Sequence, residues 1–441
     1  MAEKTALIWN EECECMPRPE LEKLQLERLK GLVTQVTAIV PFYRDLYAEA
    51  GVSADDLRSL EDIAKLPFTH KQDLRDHYPF GMFATPVNDL KQIHATSGTT
   101  GKMTVTGYTA NDMKVWSETM ARVYVAGGTT SNDIIHNAYG YGLFTGGLGF
   151  HIGAEAIGAT VIPVSGGLTK RQIEIMQDFG STILVCTPSY ALVLAETAAG
   201  MGVDLREHTK LRAGFFGAEP WTERMREDIE ERIGLEAYDI YGLAEIIGPG
   251  VSVECPYHTG LHIAEDHFFP EIIDPDSGET LGDGQLGELV FTTLTKEGLP
   301  LIRYRTRDRT RLHRETCACG RTMVRMDKVL GRTDDMLIIR GVNIFPSQVE
   351  HVLLDFEELE PQYVIYVDRE KDALDALEVW VEATEPLYAQ GDHAIEDVTS
   401  RVRKAMQETL YVSTVIRVVE PGAVQRSAGK AKRVVDRRTL D

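Results

Sequence analysis

A stretch of seven residues alternates hydroxyl side chains with glycines, a composition suited to binding phosphate. Glycine allows the backbone to turn tightly, so that several N–H groups and hydroxyl oxygens face one small concavity. Residues 92–95 before it and 103–108 after it have the alternation of short strands, which predicts a loop joining two strands. A solvated polar hairpin has the same composition, so the motif alone leaves both interpretations open. The seven residues are Thr96, Ser97, Gly98, Thr99, Thr100, Gly101 and Lys102.

The spacing of glycines excludes two common nucleotide-binding loops. A Walker A loop has four residues before its Gly-Lys pair and opens a helix, whereas two residues separate Gly98 from Gly101 and no helical pattern follows. Residues 139–147 are also rich in glycine, but they miss the G-x-G-x-x-G fingerprint of NAD-binding folds. The rings of Tyr139 and Phe144 in that stretch are candidates for one wall of a pocket for a flat ligand, with packing in the core as the alternative.

Two polar segments are predicted at the carboxyl ends of neighbouring strands, where open α/β sheets bind their ligands. Residues 217–220 follow a strand predicted at 213–216, and residues 239–245 follow the next one. Glu245 ends the second segment and offers the oxygen ligand that Mg²⁺ prefers.

Asp308 ends a charged segment, residues 303–308. A carboxylate there is suited to two adjacent hydroxyls of a ribose. The alternative is a surface ion pair with Arg305 or Arg307, which would contribute little to stability.

Three cysteines and one histidine could form a metal site. Cys317 and Cys319 lie on a tight Cys-x-Cys turn, and Cys255 with His258 or His262 would complete a tetrahedral set of soft ligands. Such a set favours zinc, and a filled set of four is structural rather than catalytic. Reduced, buried thiols beside unrelated histidines are the alternative.

Composition narrows the class of protein. The chain of 441 residues has a net charge of −22, with 43% hydrophobic and 26% charged residues, as in globular proteins. The negative charge argues against general binding to nucleic acid or to anionic membranes, so a phosphate-bearing ligand needs a local site. No run of 18 apolar residues and no signal peptide is visible, which makes the cytoplasm the expected location.

The pattern of elements predicts an α/β protein with two domains. Short apolar runs alternate with helical patterns between residues 134 and 233, which predicts a largely parallel sheet covered by helices. A β-rich part follows, with strands expected at 287–294 and 310–313. We place a boundary after residue 333, giving a large N-terminal domain of residues 1–333 and a small α+β domain of residues 334–441. Ser347 and Glu350 predict a capping box at the start of a helix in the small domain.

Five segments, in this order along the chain, resemble the core motifs of the adenylate-forming enzymes, the acyl-CoA and aryl-CoA synthetase superfamily. They are residues 96–102, 241–245, 304–308, 331–335 and 427–430. Four further stretches are similar to its phenylacetate-CoA ligase branch: residues 139–147, 217–221, 265–268 and 334–343. The resemblance covers nearly the whole chain and implies the acyl-CoA synthetase-like fold, with a mobile C-terminal domain.

The resemblance implies a reaction in two steps. A carboxylate attacks the α-phosphate of ATP to give an acyl adenylate and pyrophosphate, and the thiol of coenzyme A then displaces AMP. Lys430 would bridge the carboxylate and the α-phosphate, where one positioned cation is worth roughly two to three powers of ten in rate. A second pose of the small domain, turned about Asp334, would bring Arg340 and Gly341 toward the thiol.

The resemblance also assigns the remaining residues. The loop of residues 96–102 would hold the β- and γ-phosphates of ATP, Glu245 would support Mg²⁺, and Asp308 would bind the ribose. The implied nucleotide site further contains Gly217, Ala218, Glu219, Asp239, Tyr241, Gly242 and Arg332. The implied carboxylate pocket contains Tyr139, Phe144, Gly217 and Ala218, and the implied zinc ligands are Cys255, His262, Cys317 and Cys319.

Two positions depart from the family pattern, and several functions stay open. Ala244 stands where most adenylating enzymes have Thr or Ser, so one hydroxyl contact is missing, while Ala428 replaces an acidic residue without expected harm. Phenylacetate is the leading substrate, beside benzoate-like, hydroxylated or indole acids and a deazaflavin coenzyme. A carrier protein as the acyl acceptor, or a non-catalytic adenylate binder, are the rival functions. The implied partners are a small carboxylate, ATP and coenzyme A, with no nucleic acid or membrane, and a homodimer is left open.

Overall fold

The computed structural model describes residues 7–96, 103–333, 337–339, 342–368, 375–410, 412–426 and 433–437. Ten of the predicted site residues lie outside these ranges: Ser97, Gly98, Thr99, Thr100, Gly101, Lys102, Asp334, Arg340, Gly341 and Lys430.

Helices precede the first pair of strands. The second helix buries leucines and valines at helical spacing, among them Leu29 and Val33. It ends at Ile39, and the next helix starts at once at Pro41, because proline is well tolerated at the first helical position. The helices are α1 (Glu11–Glu14), α2 (Arg18–Ile39), α3 (Pro41–Ala50) and α4 (Lys71–Asp76), with short 3₁₀ helices at Ala54–Asp56, Leu60–Lys65 and Val87–Asp89.

The pair of strands predicted on either side of residues 96–102, the hydroxyl-glycine loop, is confirmed. Strands β1 (Gln92–Ala95) and β2 (Val105–Tyr108) are antiparallel, with Gln92 opposite Tyr108 and Ala95 opposite Val105.

The predicted parallel sheet is also confirmed. Five strands lie in the spatial order β7-β6-β5-β3-β4, and each neighbouring pair among them is parallel. Phe215 and Phe216 point to opposite faces of the sheet and enter two different hydrophobic clusters, since successive strand residues alternate. The strands are β3 (Ile134–Asn137), β4 (Thr160–Ile162), β5 (Ile183–Cys186), β6 (Ala213–Phe216) and β7 (Glu236–Leu243). The helices are α5 (Ala110–Ala126), α6 (Gly146–Ala156), α7 (Thr169–Phe179), α8 (Pro188–Gly200), α9 (Leu205–His208) and α10 (Glu223–Ile233).

Beyond β7 the same sheet continues with antiparallel strands, so the β-rich part is not wholly separate. Four strands extend it in the order β7-β8-β9-β14-β13, while a second, three-stranded antiparallel sheet has the order β10-β11-β12. These strands are β8 (Gly248–Glu254), β9 (Leu261–Ile263), β10 (Phe268–Ile273), β11 (Gly287–Thr293), β12 (Tyr304–Thr310), β13 (Leu312–His313) and β14 (Arg325–Met326).

Two segments predicted to lie between or after strands are strands themselves. Residues 239–243 belong to β7, and Asp308 lies within β12. In β12 the even-numbered residues are buried and the arginines between them are more exposed. The prediction of a strand only from residue 310 was therefore wrong, because the charged residues before it already alternate with period two.

The C-terminal part forms its own four-stranded sheet in the order β19-β18-β17-β20, with a separate hydrophobic cluster. Its first long helix begins at Pro346 rather than at the predicted capping box. Gln348 accepts a hydrogen bond from the backbone N–H of Phe345, while the Ser347 hydroxyl donates to the carbonyl of Leu330. The elements are β15 (Leu337–Ile339), β16 (Val342–Ile344), α11 (Pro346–Leu354), β17 (Leu359–Asp368), β18 (Ala376–Ala383), α12 (Glu385–Tyr388), α13 (Asp392–Leu410), β19 (Thr414–Val419) and β20 (Val434–Asp436).

Candidate functional site

The described residues on either side of the hydroxyl-glycine loop, residues 96–102, are paired in the β1–β2 hairpin. The backbone N–H of Thr96 donates to the carbonyl of Thr104 at 3.0 Å, and the N–H of Thr104 donates to the Thr96 hydroxyl at 3.3 Å. The N–H of Ala95 donates to the carbonyl of Leu143 at 2.9 Å. The hairpin therefore lies directly beside the glycine-rich stretch of residues 139–147.

The two aromatic candidates in that stretch differ sharply in their surroundings. Tyr139 is buried and stacks on Phe150, with ring centroids 4.9 Å apart, and its hydroxyl donates to the carbonyl of Gly217 at 3.2 Å. Phe144 is 48% exposed. Tyr139 thus joins the glycine-rich stretch to the end of β6, whereas Phe144 lies at the surface.

Residues 217–219 form a constrained turn after β6. A side chain at Gly217 would place its Cβ 2.5 Å from the carbonyl oxygen of Ile240, so glycine is required there. Ala218 has a φ of 72°, a left-handed conformation that costs a residue with a Cβ about 1–3 kcal/mol. Glu219 accepts hydrogen bonds from the backbone and hydroxyl of Ser189, at the start of α8. This strain lies at the strand end where a ligand is expected.

Asp239 is buried within β7 beside a second carboxylate. Its backbone N–H donates to Glu254 at 2.8 Å, and Glu254 receives two hydrogen bonds from Arg226, at 2.7 and 2.8 Å. Burial, and after it the charge of Glu254, raise the pKa of Asp239. Against the effect of burial, hydrogen bonding by His258 and the charge of Arg226 lower the pKa of Glu254. The pair therefore holds one negative charge on Glu254 more readily than on Asp239.

Asp308 has both carboxylate oxygens engaged by residues of the predicted site. The Tyr241 hydroxyl donates to one oxygen at 2.6 Å, and Arg332 donates to the other at 2.9 Å. Asp308 does not pair with Arg305 or Arg307, whose nearest acidic partner is Glu288, at 2.7 and 3.6 Å. The alternative of a surface ion pair with these arginines is therefore wrong, and Tyr241, Asp308 and Arg332 form one unit.

Glu245 is nearly buried just beyond the end of β7. Its carboxylate lies 3.3 Å from Nζ of Lys71, on α4. Burial, and then the charge of Glu245, raise the pKa of Tyr304. A carboxylate, a lysine and a phenol from three separate parts of the chain therefore meet here.

Sequence reasoning missed two lysines of this region, Lys71 and Lys296. Lys296 is buried, donates to the Thr106 hydroxyl at 2.9 Å and lies 4.5 Å from the centre of the Tyr108 ring. Burial lowers the pKa of Lys296 to about 8, although Asp112 and Glu245 act in the opposite direction. A single lysine in a polar stretch carries no pattern, so no sequence signal marked either residue.

Four candidate metal ligands converge as predicted. One ligand atom from each of Cys255, His262, Cys317 and Cys319 lies within 4.8 Å of every other, and all four residues are buried. Nε2 of His262 lies 3.4 Å from Sγ of Cys319. His258 instead lies 3.4 Å from Glu254 and 3.5 Å from Glu236. His262 is thus the histidine that faces the thiols.

Two residues of the motif at 265–268 form ion pairs with helices. Arg18 on α2 donates two hydrogen bonds of 2.8 Å to Glu265, and Arg122 on α5 donates bonds of 2.8 and 2.9 Å to Asp266. These ion pairs attach α2 and α5 to the segment that follows β9.

Within the described ranges, no helix is long and apolar enough to cross a membrane.

Family models match most of the chain. The model described as "AMP-binding enzyme" matches residues 22–294, and the one described as "AMP-binding enzyme C-terminal domain" matches residues 341–438. The chain belongs to the AMP-binding enzyme family.

Curated relatives indicate which branch of the AMP-binding enzyme family this chain resembles. The chain is 51% identical to a phenylacetate-coenzyme A ligase of Thermus thermophilus, over 98% of this chain and 100% of the relative. It is 51% identical to a phenylacetate-coenzyme A ligase of Escherichia coli K12, over 96% of each chain.

A solved relative is similar in structure as well. A 2-hydroxyisobutyryl-CoA ligase in the postadenylation state, in complex with 2-HIB-AMP, superposes with a TM-score of 0.90 at 30% identity, covering 97% of this chain and 92% of its own. The same ligase with 2-HIB-AMP and CoA, in the thioesterification state, superposes with a TM-score of 0.72 at 31% identity, covering 96% and 91%. The arrangement of this chain is therefore closer to the postadenylation state.

Proposed function

We propose that this protein is an AMP-forming ligase that converts an aryl carboxylate, phenylacetate first, into its coenzyme A thioester through an acyl adenylate. The observation that carries the proposal is the unit formed by Asp308, Tyr241 and Arg332. It presents a nearly buried carboxylate, held on both oxygens, at the position that the family motif assigns to the ribose. About half identity to phenylacetate-coenzyme A ligases over nearly the full chain supports the substrate.

In the first step, the ATP phosphates bind at the loop of residues 96–102, which connects the two strands of the β1–β2 hairpin. The adenine lies against residues 217–219 and Asp239, and the carboxylate substrate lies near Tyr139 and the Gly217 turn. Lys430 stabilises the charge that develops as the carboxylate attacks the α-phosphate. In the second step, the small domain turns about Asp334, and coenzyme A approaches beside Arg340 and Gly341.

Glu245 fits a role in holding Mg²⁺. It is a nearly buried carboxylate whose charge is balanced by Lys71 within the described part of the chain, and a hard cation prefers such oxygen ligands. When bound, Mg²⁺ would neutralise phosphate charge.

The cluster of Cys255, His262, Cys317 and Cys319 fits a closed structural zinc site. Three sulfurs and one imidazole nitrogen within 4.8 Å of one another match a tetrahedral set with no open position. Nε2 of His262 is the ring nitrogen that faces the thiols, while Nδ1 is buried without a hydrogen-bond partner in the described structure.

Two organisational features accompany the proposal. We place the domain boundary after residue 333, supported by the separate hydrophobic cluster of the C-terminal sheet. A cytoplasmic location is supported by the six cysteines, none of which forms a disulfide in the described structure.

The test is carboxylate-dependent exchange of pyrophosphate into ATP, followed by thioester formation on addition of coenzyme A. Phenylacetate should support the fastest exchange in a panel that also contains benzoate, indole acids and alkyl acids. Exchange without thioester formation would favour a carrier protein as the acceptor, and no exchange with any acid would favour a non-catalytic binder.

A single substitution tests the assigned role of Lys430. Lys430→Ala should lower exchange by roughly two to three powers of ten while ATP binding stays near that of the wild type. The neighbouring Lys432→Ala, which changes the tail charge equally, is the control. Equal effects of the two substitutions would remove Lys430 from this role.

A further inference from the structure

Arg426 connects the two domains just before the tail that carries Lys430. Its guanidinium donates to Glu382 on β18 of the small domain, at 2.6 and 3.0 Å. It also donates to Glu196 on α8 of the large domain, with three contacts of 3.2 to 3.3 Å. One side chain therefore contacts a carboxylate of each domain at once.

The two halves of this bridge are unequal. The Glu382 side chain is fully buried and also accepts hydrogen bonds from the backbone N–H groups of Gly422 and Val424, at 3.0 and 2.7 Å. Glu196 has a side chain 29% exposed, and its contacts with Arg426 are longer. The ion pair between Arg426 and Glu382 therefore belongs to the fold of the small domain. The ion pair between Arg426 and Glu196 can break and re-form at little cost in free energy.

The bridge lies at one end of the segment that contains Lys430. At the other end, Arg433 donates to the carbonyl of Pro361 at 3.2 Å, and its own carbonyl accepts from the N–H of Ile365 at 2.8 Å. The segment between these points is therefore tied at both ends to the small domain. The contact between Arg426 and Glu196 then joins the start of this segment to the large domain.

Helix α8 links this bridge to the nucleotide side of the large domain. Its first turn carries Ser189, which holds Glu219 of the turn after β6, and Glu196 lies two turns further along the same helix. A rigid helix thus fixes the distance between the adenine-side turn and the residue that receives Arg426.

We infer that the contact between Arg426 and Glu196 holds the small domain in the pose for adenylation, and that Arg426 is a positioning residue for Lys430. The inference rests on the proposed function. It agrees with the closer superposition on the postadenylation state of the solved relative than on its thioesterification state. Loss of the contact should penalise the first half-reaction and spare the second.

Glu196→Gln is the test, because it removes the charge and leaves the attachment of Arg426 to Glu382 intact. Carboxylate-dependent pyrophosphate exchange should fall about two- to fivefold, as expected for a partly exposed ion pair. Thioester formation from synthetic phenylacetyl adenylate and coenzyme A should not fall. Glu174→Gln, an exposed glutamate on the neighbouring helix α7, should change neither rate.

Salt gives a second measurement that a purely structural role would not move. Raising the ionic strength should lower exchange in the wild type toward the level of Glu196→Gln, since exposed charges are screened, and should affect the variant less.

Equal loss in both half-reactions, or exchange identical to that of the Glu174 control, would overturn the inference. If the wild type showed no exchange with any acid, the proposed function would fail, and small-angle scattering would still decide whether Glu196→Gln alters the domain arrangement. Scattering identical to that of the Glu174 control would then reject the contact as a determinant of the pose.

Discussion

The cysteine–histidine cluster and the Asp308 unit are both groups of buried polar side chains, but they are closed in different ways. In the cluster, the possible ligand atoms of Cys255, His262, Cys317 and Cys319 all face one another. In the Asp308 unit, the carboxylate is balanced by a phenol and a guanidinium that themselves remain partly exposed. A group whose polar atoms all contact one another stabilises the fold. A buried carboxylate whose hydrogen-bond partners are partly exposed can exchange those partners for a ligand.

The largest effect is expected from removing one ligand of the cysteine–histidine cluster. Cys317→Ala should abolish zinc retention and lower the free energy of unfolding by several kcal/mol, since the whole ion contributes about 10–16 kcal/mol in zinc-finger peptides. Metal analysis after dialysis and denaturant unfolding measure the two effects. Cys186→Ala, at a buried cysteine outside the cluster, is the control and should keep the metal. Less than a tenth of an equivalent of zinc in the wild type would contradict a closed structural site.

Removing the carboxylate of the Asp308 unit should weaken the binding of ATP rather than the fold. Asp308→Ala should raise KM for ATP about ten- to a hundredfold, because hydrogen bonds to a charged group contribute about 1.5–3 kcal/mol each. It should leave zinc retention unchanged. Arg305→Ala, in the same strand but paired to Glu288, is the matched control, and a similar KM in the two variants would remove Asp308 from the ribose role.

How much of each group could be predicted from sequence depends on how local its signal is. The Cys-x-Cys turn and the hydroxyl-glycine loop are marked by spacing within a few residues, and the strands around the loop alternate visibly. The site lysines carry no such mark: Lys296 meets Thr106 across 190 positions of sequence, a contact that tertiary folding alone creates. The strand containing Asp308 was missed for another reason, since its alternating arginines pair with Glu288 on β11, a partner that the segment itself does not reveal.

The buried Lys296, which lies outside both groups, should make the free energy of unfolding depend on pH. Its pKa is about 8 in the folded protein, below the ordinary value of 10.5, so between these values the unfolded chain binds more protons. The contribution of Lys296 to stability therefore rises with pH from about 8 to 10.5, by at most about 1.4 kcal/mol per pH unit. The groups that face it are Asp112, Glu245, Tyr108 and His94, and the charges of Asp112 and Glu245 raise its pKa against the larger effect of burial.

Unfolding curves of the wild type and Lys296→Met between pH 7 and 10.5 test this prediction. The difference in free energy of unfolding, wild type minus variant, should become more positive as the pH rises above 8. A constant difference across the window would show that the lysine titrates alike in both states.

The smallest effect is expected at Lys71, the rim partner of Glu245. Its segment is fixed in place, because the backbone of Thr69 exchanges hydrogen bonds of 3.0 Å with Arg303 and Arg305 at the start of β12. Lys71→Met should lower the free energy of unfolding by about 1 kcal/mol, since Lys71 is partly exposed but its partner is not. Lys65→Met, which breaks an exposed pair with Asp62, should cost less. ATP with Mg²⁺ should narrow the loss at Lys71, because a divalent cation on Glu245 would replace the missing charge, and a loss that stays the same or grows would argue against Glu245 as a metal ligand.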